Sequence, residues 1–380
     1  MAENIRALFD LPDDLAYFNC ASLGPLPRAA VRCIEAGAAR HGRPWTVTNA
    51  QWIDDAEERR RLFAALAGVD ADAIALVPAA SYGLAAAARN LDAKAGRHIL
   101  VPADDFPSGV YTWQRFSART GCDLVTVPRA PERSWTEAML GAIDERAALV
   151  AVPNVHWTDG GLFDLPAISA RAREVGARLV VDASQSFGAM PLDLAAVRPD
   201  FLVTVGYKWL LGPFGLGYLY VDERHRDGIP LEENWLQRLG SEDFGRLVDY
   251  EERYRPGARR FDVGQRSAFE LTEAANVSLR LIGEWRVAGI SRRLGALIGR
   301  IEAVAQGLGL ETTSGPWRCP HMLGLALPAA AVDAAPKIFR DRNVFVGFRG
   351  RSARIAPHMY TSEADMERLT DALTAIARMA

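Results

Sequence analysis

Short apolar runs rich in Val, Ile and Leu alternate with stretches of helical periodicity between residues 74 and 205. The runs read IALVP, HILVP, CDLVTVP, AALVAVP, ARLVVDA and FLVTV, and most of them are followed by a helical segment. Continuous apolar strands that alternate with helices are typical of a mostly parallel sheet covered on both faces. The pattern therefore predicts an α/β fold with a large sheet domain, which we expect to end near Tyr250.

The stretch 203–221, VTVGYKWLLGPFGLGYLYV, places Lys208 between two apolar, glycine-flanked runs. The chain has 44 Lys and Arg residues, but its only lysines are Lys94, Lys208 and Lys337, so arginine supplies nearly all of its positive charge. An amine can lose its proton on burial and attack a carbonyl, which a guanidinium group cannot do. The stretch is equally compatible with a lysine whose stem covers apolar surface while its head reaches water.

Ligand-binding groups of parallel sheets gather just beyond the carboxyl ends of the strands. The residues in those positions are Ser81, Tyr82, Gly83, Asp105, Phe106, Asn154, His156, Trp157, Asp182, Gln185, Tyr207 and Lys208. This set holds an amine, a carboxylate, hydroxyl groups at a helix start and several aromatic rings. Together these groups suit a flat, phosphorylated heterocycle that carries an aldehyde.

Individual members of this set have alternative interpretations. Ser81 could cap a helix, although a helix N-terminus also binds phosphate. Asp182 ends an apolar run, so its carboxylate needs a cation, either a protonated pyridine or a structural salt bridge. Phe106 and Trp157 could be core or pocket wall, and His156 could be a satisfied polar side chain.

Composition excludes several classes of function. A formal charge of −3 and a pI near 6.1 argue against a nucleic-acid or membrane-surface partner. No apolar run approaches the roughly 20 residues of a membrane span. The first residues show no leader pattern, so we expect a cytoplasmic protein. The four cysteines are scattered without metal-ligand or redox spacing, and no metal site is predicted.

The segments DASQ at residues 182–185 and GYKW at residues 206–209 resemble the class V aminotransferase family. Further segments match in the expected order over nearly the whole chain: YFNCASLGPLP, ASYGL, DDFPSGVYTW, RFDVGQ and ARIAPHMYTSEADMERL. The family comprises fold-type I enzymes dependent on pyridoxal 5′-phosphate (PLP), among them cysteine desulfurases, kynureninases and isopenicillin N epimerase-like proteins. The resemblance implies a large PLP-binding domain at residues 15–250 and a small α/β domain formed by residues 1–14 and 251–380.

The resemblance also implies a role for each cofactor-binding position. Lys208 would bond covalently to the PLP aldehyde and later move the substrate Cα proton, and Asp182 would pair with the ring nitrogen. The other implied contacts are Gln185 with the ring hydroxyl, Phe106 stacked on the ring, Ser81, Tyr82 and Tyr207 with the phosphate, and Gln265 with the phosphate of a neighbouring subunit. A homodimer with shared active sites follows from the position of Gln265.

For the substrate, the resemblance places Arg354 on the α-carboxylate of an amino acid, for which its bidentate fork is suited. Candidates for the rest of the pocket are Asn19, His156, Trp157, Arg266 and Arg351. The segment NVFVGFRGRSARIAPH holds no cysteine, which disfavours persulfide transfer. Phenylalanine at position 106, in place of histidine, also points away from the desulfurases, while His156 and Trp157 depart from the kynureninase pattern.

These observations predict a PLP-dependent enzyme that acts on an amino acid through an external aldimine and a Cα carbanion. The first candidate is a class V aminotransferase-like protein. A lyase, an epimerase or a kynureninase-like hydrolase on the same scaffold is the alternative. A catalytically silent PLP-binding protein is the alternative from another class. A nicotinamide-dependent oxidoreductase is disfavoured, because the turn after the first buried strand reads VPAASYG and lacks the glycine-rich fingerprint.

Overall fold

The structure, a computed structural model, describes residues 5–313 and 315–380. Its strands are β1 (Ala16–Tyr17), β2 (Ile74–Val77), β3 (His98–Pro102), β4 (Asp123–Val127), β5 (Ala147–Pro153), β6 (Arg178–Asp182), β7 (Phe201–Val205), β8 (Gly217–Val221), β9 (Leu323–Ala326), β10 (Val344–Phe345), β11 (Gly347–Arg349) and β12 (Ser352–Ile355). Its α-helices are α1 (Arg28–His41), α2 (Asn49–Ala67), α3 (Ala80–Asn90), α4 (Pro107–Thr120), α5 (Trp135–Ala142), α6 (Leu165–Glu174), α7 (Leu194–Val197), α8 (Thr272–Trp285), α9 (Val287–Gly307), α10 (Ala335–Arg340) and α11 (Glu363–Ala377).

Within the described residues, the largest sheet has seven strands in the order β2-β8-β7-β6-β5-β3-β4. The strands from β7 through β6, β5 and β3 to β4 run parallel, while β8 pairs antiparallel with both β7 and β2. Each of the six apolar runs forms one of these strands, which confirms the predicted mostly parallel α/β sheet. Only β8 runs against the other six strands; β2 is antiparallel to β8 and therefore has the same direction as β7.

Side chains of successive residues in the central strands enter two different hydrophobic clusters. In β6, Leu179 and Val181 join one cluster, whereas Val180 joins the other. Because neighbouring residues of a strand point to opposite faces, both faces of the sheet are covered by apolar groups. This double burial explains why the strands read as continuous apolar runs in the sequence.

The beginning of the chain packs against its C-terminal part. Strand β1 pairs in parallel with β10, and Arg6 Nη1 donates to Asp365 Oδ2 of α11 at 2.6 Å. A separate antiparallel sheet has the order β11-β12-β9. The domain bounds at 15–250 and at 1–14 with 251–380 stay a prediction, and residues 1–4 of the predicted small domain lie outside the described residues.

Within residues 5–313 and 315–380, none of the helices is both long enough and apolar enough to cross a bilayer.

Candidate active site

Lys208 lies on the glycine-rich loop between β7 and β8. The Gly206 amide donates to the Leu216 carbonyl at 2.8 Å, which closes the loop on itself. Gly24 from the N-terminal part presses against the loop, since a Cβ there would lie 2.2 Å from the Lys208 carbonyl oxygen. Backbone contacts on both sides therefore hold the lysine in place, and its side chain is directed inward.

Lys208 is buried, with only 9% of the residue exposed. Nζ lies 5.6 Å from the centre of the Phe106 ring and 5.8 Å from that of Tyr207. Burial lowers the pKa of Lys208 to about 8, while the negative charge of Asp182 opposes this shift and Arg354 adds to it. Among residues 5–313 and 315–380, no carboxylate forms an ion pair with Nζ. The amine is therefore prepared to lose its proton near neutral pH.

Asp182 is the last residue of β6, and its Oδ1 accepts a hydrogen bond from the Ser184 amide at 2.8 Å. Together with Asp105 and Phe106, it lines a small cavity at the carboxyl ends of β3, β5 and β6. Phe106 is 42% exposed, so part of the residue is accessible for contact with a ligand. The structure thus brings Lys208, Phe106 and Asp182 together.

Asp105 is a second carboxylate in this cavity and has no role in the sequence prediction. Its Oδ1 accepts from the Phe106 amide at 2.8 Å. Burial raises the pKa of Asp105 to about 7; the Phe106 amide opposes this shift, and the charge of Asp182 adds to it. The strand-end rule names Asp105 from the sequence, at the end of β3, but gives it no role.

Gln185 is fixed at both ends of its carboxamide. Nε2 donates to the Ala21 carbonyl at 3.0 Å, and Oε1 accepts from Trp209 Nε1 at 3.1 Å. Because an amide nitrogen carries two hydrogens, one N–H of Nε2 remains for a further acceptor. Two neighbouring buried oxygens, Ser184 Oγ and Asn154 Oδ1, have no partner within the described part of the chain.

Ser81 and Tyr82 lie in the first turn of α3, which begins at Ala80. The capping position is Ala79 and makes no side-chain cap, so Ser81 is not the helix cap that the alternative interpretation considered. Amides in the first turn of a helix have no acceptor within the helix and attract anions. Tyr207 lies on the lysine loop, with its ring 4.6 Å from that of Phe214.

Arg354 on β12 is buried, with 1% of the side chain exposed. Nη1 donates to the Trp157 carbonyl at 2.6 Å, and Nη2 donates to Ser22 Oγ at 2.7 Å. Burial lowers the pKa of Arg354 to about 9, and the nearby charge of Arg349 adds to this shift. Nε of Arg354 and Oδ1 of Asn19 are buried without a partner in the described ranges.

Trp157 joins the ring-stacking side of the site to the arginine side. Its indole packs edge-on against Phe106 with ring centres 5.4 Å apart, and its Nε1 donates to the Asp104 carbonyl at 2.7 Å. The guanidinium group of Arg349 lies 5.1 Å from the centre of its ring. Trp157 therefore lies between Phe106 and Arg349, and its contact with a substrate stays a prediction.

His156 has a different environment from its neighbour Trp157. Nε2 contacts the Ala103 carbonyl at 3.0 Å, Nδ1 contacts Thr158 Oγ1 at 2.8 Å, and the ring stacks on Trp135 at 4.3 Å. Both ring nitrogens are used within the protein, so neither is left for a substrate. The structure shows the satisfied histidine of the alternative interpretation.

Three further residues of the sequence prediction lie apart from Lys208. Gln265 is exposed on the surface. Arg266 is buried in an ion cluster, where Nη1 contacts Glu57 at 2.5 Å and Asp262 at 3.4 Å. Arg351 is exposed at the turn between β11 and β12. The arginine that the structure brings to Arg354 is Arg349, which the sequence reasoning missed.

A mostly parallel α/β sheet with a buried lysine after β7 and a carboxylate at the end of β6 defines a PLP-dependent enzyme of fold type I. The profile of the family "Aminotransferase class-V" matches residues 30–267. The chain belongs to this class V aminotransferase family, whose members use PLP, and it is a PLP-dependent enzyme.

Several characterised or named proteins are similar in sequence. The uncharacterised aminotransferase YcbU of Bacillus subtilis is 29% identical over 326 residues, which are 85% of this chain and 84% of that protein. Kynureninase of Deinococcus radiodurans is 31% identical over 293 residues, covering 73% of this chain and 68% of its own length. Isopenicillin N epimerase of Streptomyces clavuligerus is 26% identical over 402 residues, with 98% of each chain covered.

Solved structures share the fold over the full length. Apo cysteine desulfurase from Thermococcus onnurineus has a TM-score of 0.84 and 20% identity, covering 100% of this chain and 98% of its own. A mutant of C-DES with glycine covalently linked to its PLP cofactor has a TM-score of 0.85 and 20% identity, covering 99% of each chain. At this level of identity the similarity establishes the fold.

The residues around Lys208 suit PLP on physical grounds. The set contains an amine of lowered pKa, a carboxylate, an exposed aromatic face, a free amide N–H and the open first turn of a helix. These groups correspond in kind to the aldehyde, ring nitrogen, ring face, ring hydroxyl and phosphate of the cofactor. The buried oxygens without partners beside Gln185 show that polar capacity remains at this place.

Proposed function

We propose that the chain is an aminotransferase that acts on an α-amino acid, with Lys208 as its catalytic base. The observation that carries the proposal is the buried Lys208 amine of lowered pKa, which faces Phe106 and lies near the carboxylate of Asp182. When bound, PLP supplies an aldehyde that bonds to amines and a ring that accepts electrons from Cα. Residues of this chain would bind the substrate and transfer its protons.

Lys208 Nζ would take the proton from the substrate Cα and return it at a different atom. An amine with a pKa near 8 is suited to both removing and returning a proton, because proton transfer is most effective when the pKa of the catalytic group is near the working pH. The Asp182 carboxylate would keep a proton on the ring nitrogen. Gln185, with its one free N–H, would donate to the ring oxygen, and Phe106 would cover the ring face.

The first turn of α3, with Ser81 and Tyr82, would hold the phosphate, and Tyr207 would contribute its hydroxyl. We propose that Gln265 of a second copy of the chain completes this phosphate site, which its exposed position supports. The predicted homodimer with shared active sites belongs to this proposal. The predicted cytoplasmic location and the bounds of the two domains are retained as predictions.

Arg354 would hold the substrate α-carboxylate from its place beside Ser22 and Trp157. Its unpaired Nε and the unpaired Oδ1 of Asn19 lie on the same side of the pocket and offer a donor and an acceptor. Charge-assisted hydrogen bonds from guanidinium to carboxylate are strong and directional. Fixing the carboxylate in this way would orient the substrate Cα with respect to Lys208.

The experiment that tests the proposal begins with the absorption spectrum of the purified holoprotein. A band that borohydride abolishes, and that is absent from Lys208→Ala, would establish the covalent bond to Nζ. Incubation with a panel of amino acids, with and without keto-acid acceptors, is followed by identification of the products by mass. New amino and keto acids in matched amounts support aminotransfer.

Other products would replace the proposal with a named alternative. A product of inverted chirality means an epimerase, and loss or hydrolytic cleavage of the side chain means a lyase or a kynureninase-like hydrolase. Spectral binding without any product means a silent PLP-binding protein. If Lys208→Ala retains the native rate, Lys208 is not the base.

A further inference from the structure

Strands β11 and β12 form a hairpin whose register places two arginines on one face. Gly347 lies opposite Arg354, and Arg349 lies opposite Ser352. Directly opposed residues of an antiparallel pair share a face, as do residues two apart on one strand. Arg349 and Arg354 are therefore diagonal neighbours on the same face, at a Cα separation of about 7–8 Å.

The two guanidinium groups meet at a single hydroxyl. Ser22 Oγ accepts from Arg354 Nη2 at 2.7 Å and from Arg349 Nη2 at 3.3 Å. Arg349 also lies over the Trp157 ring, at 5.1 Å from its centre. Its side chain is thus held in a defined position, between Trp157 and Ser22, at the pocket that Arg354 serves.

Positive charge at this place is not balanced by the protein. No carboxylate in residues 5–313 and 315–380 forms an ion pair with Arg349 or Arg354, and Nε of each is buried without a partner. Both groups also lower the pKa of Lys208. Like charges so close together are costly unless an anion joins them.

One carboxylate does not use all of these donors. A substrate α-carboxylate takes up the fork of Arg354, which leaves Arg349 with free N–H groups along the diagonal of the hairpin. Its contact with Trp157 holds it at the wall of the pocket, beside Arg354. A second acidic group on the substrate side chain would complement this positive charge.

We propose that Arg349 is a specificity-determining residue and that the substrate is an α-amino acid with a second acidic group on its side chain. This inference rests on the proposed function, because it takes Arg354 as the ligand of the α-carboxylate. Arg349 binds the distal acid, Arg354 binds the α-carboxylate, and Trp157 separates the two groups from the ring of Phe106. Neutral amino acids leave the Arg349 guanidinium unpaired and bind more weakly.

The first experiment compares Arg349→Gln with Arg351→Gln in the holoenzyme. Arg351 lies on the same hairpin but is exposed, so its variant removes an equal charge without touching the pocket. The substrates are L-aspartate and L-glutamate on one side and L-alanine and L-leucine on the other. We expect Arg349→Gln to raise KM for the acidic pair by at least about tenfold, with less than a twofold change for the neutral pair.

An equal rise in KM for all four amino acids would overturn the proposal, because Arg349 would then act only by positioning Arg354 through Ser22. A native enzyme that prefers L-alanine or L-leucine would overturn it as well. Arg351→Gln is expected to behave like the native enzyme with every substrate. A comparable loss in that variant would mean a general effect of charge, which also contradicts the proposal.

A binding measurement separates this inference from the proposed function. Calorimetric titration of the holoprotein with succinate and with propionate compares two acids and one acid without any chemistry. We expect succinate to bind at least about tenfold more tightly, and this difference to vanish in Arg349→Gln. Equal affinities overturn the second acid site. Absence of the borohydride-sensitive band would instead overturn the proposed function, whatever succinate does.

Discussion

Trp209 Nε1 donates to Gln185 Oε1 at 3.1 Å, and this bond decides which end of the carboxamide is free. With Oε1 taken by the indole, the remaining capacity of Gln185 is an N–H donor, since Nε2 spends only one hydrogen on Ala21. Trp209 follows Lys208 directly in the chain. A buried indole therefore orients a polar group that faces the cofactor site.

Removing this bond should weaken cofactor binding. In Trp209→Phe the carboxamide can rotate, and the loss of one hydrogen bond costs about 0.5–1.5 kcal/mol. We expect the dissociation constant of PLP to rise roughly 2- to 13-fold, with the absorption band of the holoprotein titrating at a changed pH. Phe116→Leu, which alters a buried aromatic ring elsewhere, is the control for packing. An unchanged dissociation constant would show that Gln185 needs no anchor.

The pH dependence of cofactor capture should follow Lys208. Burial lowers its pKa from 10.5 to about 8, and only the unprotonated amine attacks an aldehyde. The rate of the spectral change on mixing apoprotein with PLP should therefore rise with pH and level off above about pH 8. Stopped-flow absorption measures this rate. A rate that still rises steeply at pH 10 would mean that the amine is not shielded from water.

Arg349→Gln provides an internal check on that profile. Because the positive charge of Arg349 contributes to the lowered pKa of Lys208, its removal should move the midpoint to higher pH. Arg351→Gln, on the exposed turn, should leave the midpoint in place. A shift in the opposite direction would contradict the electrostatic account of the lysine.

Asp105 should make the apoprotein less stable as the pH rises. Its folded-state pKa is raised from 3.8 to about 7, so the folded protein holds a proton that the unfolded chain releases between these values. The contribution of Asp105 to the free energy of unfolding is fully present below about pH 4 and is lost as the pH rises toward 7. The slope of this loss is at most about 1.4 kcal/mol per pH unit. Urea unfolding of the apoprotein at several pH values measures this slope.

Asp105→Asn should flatten the profile, because an amide does not titrate. Asp92→Asn changes an exposed aspartate and should keep the native slope. Identical slopes in the native protein and in Asp105→Asn would show that Asp105 ionises as freely when folded as when unfolded.

Gly347 should matter because of its neighbours. A Cβ at this position would lie 2.9 Å from Asn19 Oδ1 and 3.4 Å from Arg354 Nη2. Gly347→Ala should displace one of these groups and raise KM for the amino acid several-fold, while PLP stays bound. Gly299→Ala, whose Cβ meets nothing within 4 Å, is the matched control for Gly347→Ala.

Arg354→Ala should weaken amino-acid binding by about 2–5 kcal/mol.

Much of the fold was accessible from the sequence because strands covered on both faces must be apolar throughout. The six runs formed strands for that reason, and the rule for strand ends then found Lys208, Asp182 and Phe106. The order of residues along the chain is enough to predict apolar strands and the residues that follow them. Asp105 was found by the same rule but was given no role, because the effect of burial on its pKa depends on packing that the sequence does not show.

The arginines show where sequence reasoning stops. Arg349 and Arg351 are separated by one residue in the turn of a hairpin, and only the register of β11 with β12 decides which of them shares a face with Arg354. Arg266 adjoins Gln265 in the sequence, yet it is committed to Glu57 and Asp262 in a buried cluster. His156 likewise adjoins Trp157 but turns into the core, where Ala103 and Thr158 take both of its nitrogens.

The segment from Phe18 to Gly24 connects the chain after β12, which carries Arg354, to the loop that carries Lys208. Phe18 accepts from the Ala356 amide just beyond β12, and the Gly24 amide donates to the Tyr207 carbonyl at 2.8 Å. We therefore expect a displacement of the β11–β12 hairpin to reach Tyr207, the residue that precedes the lysine, through these seven residues. Under the proposed function, binding of the substrate carboxylate at Arg354 and the position of the Lys208 amine are therefore coupled through one continuous stretch of backbone.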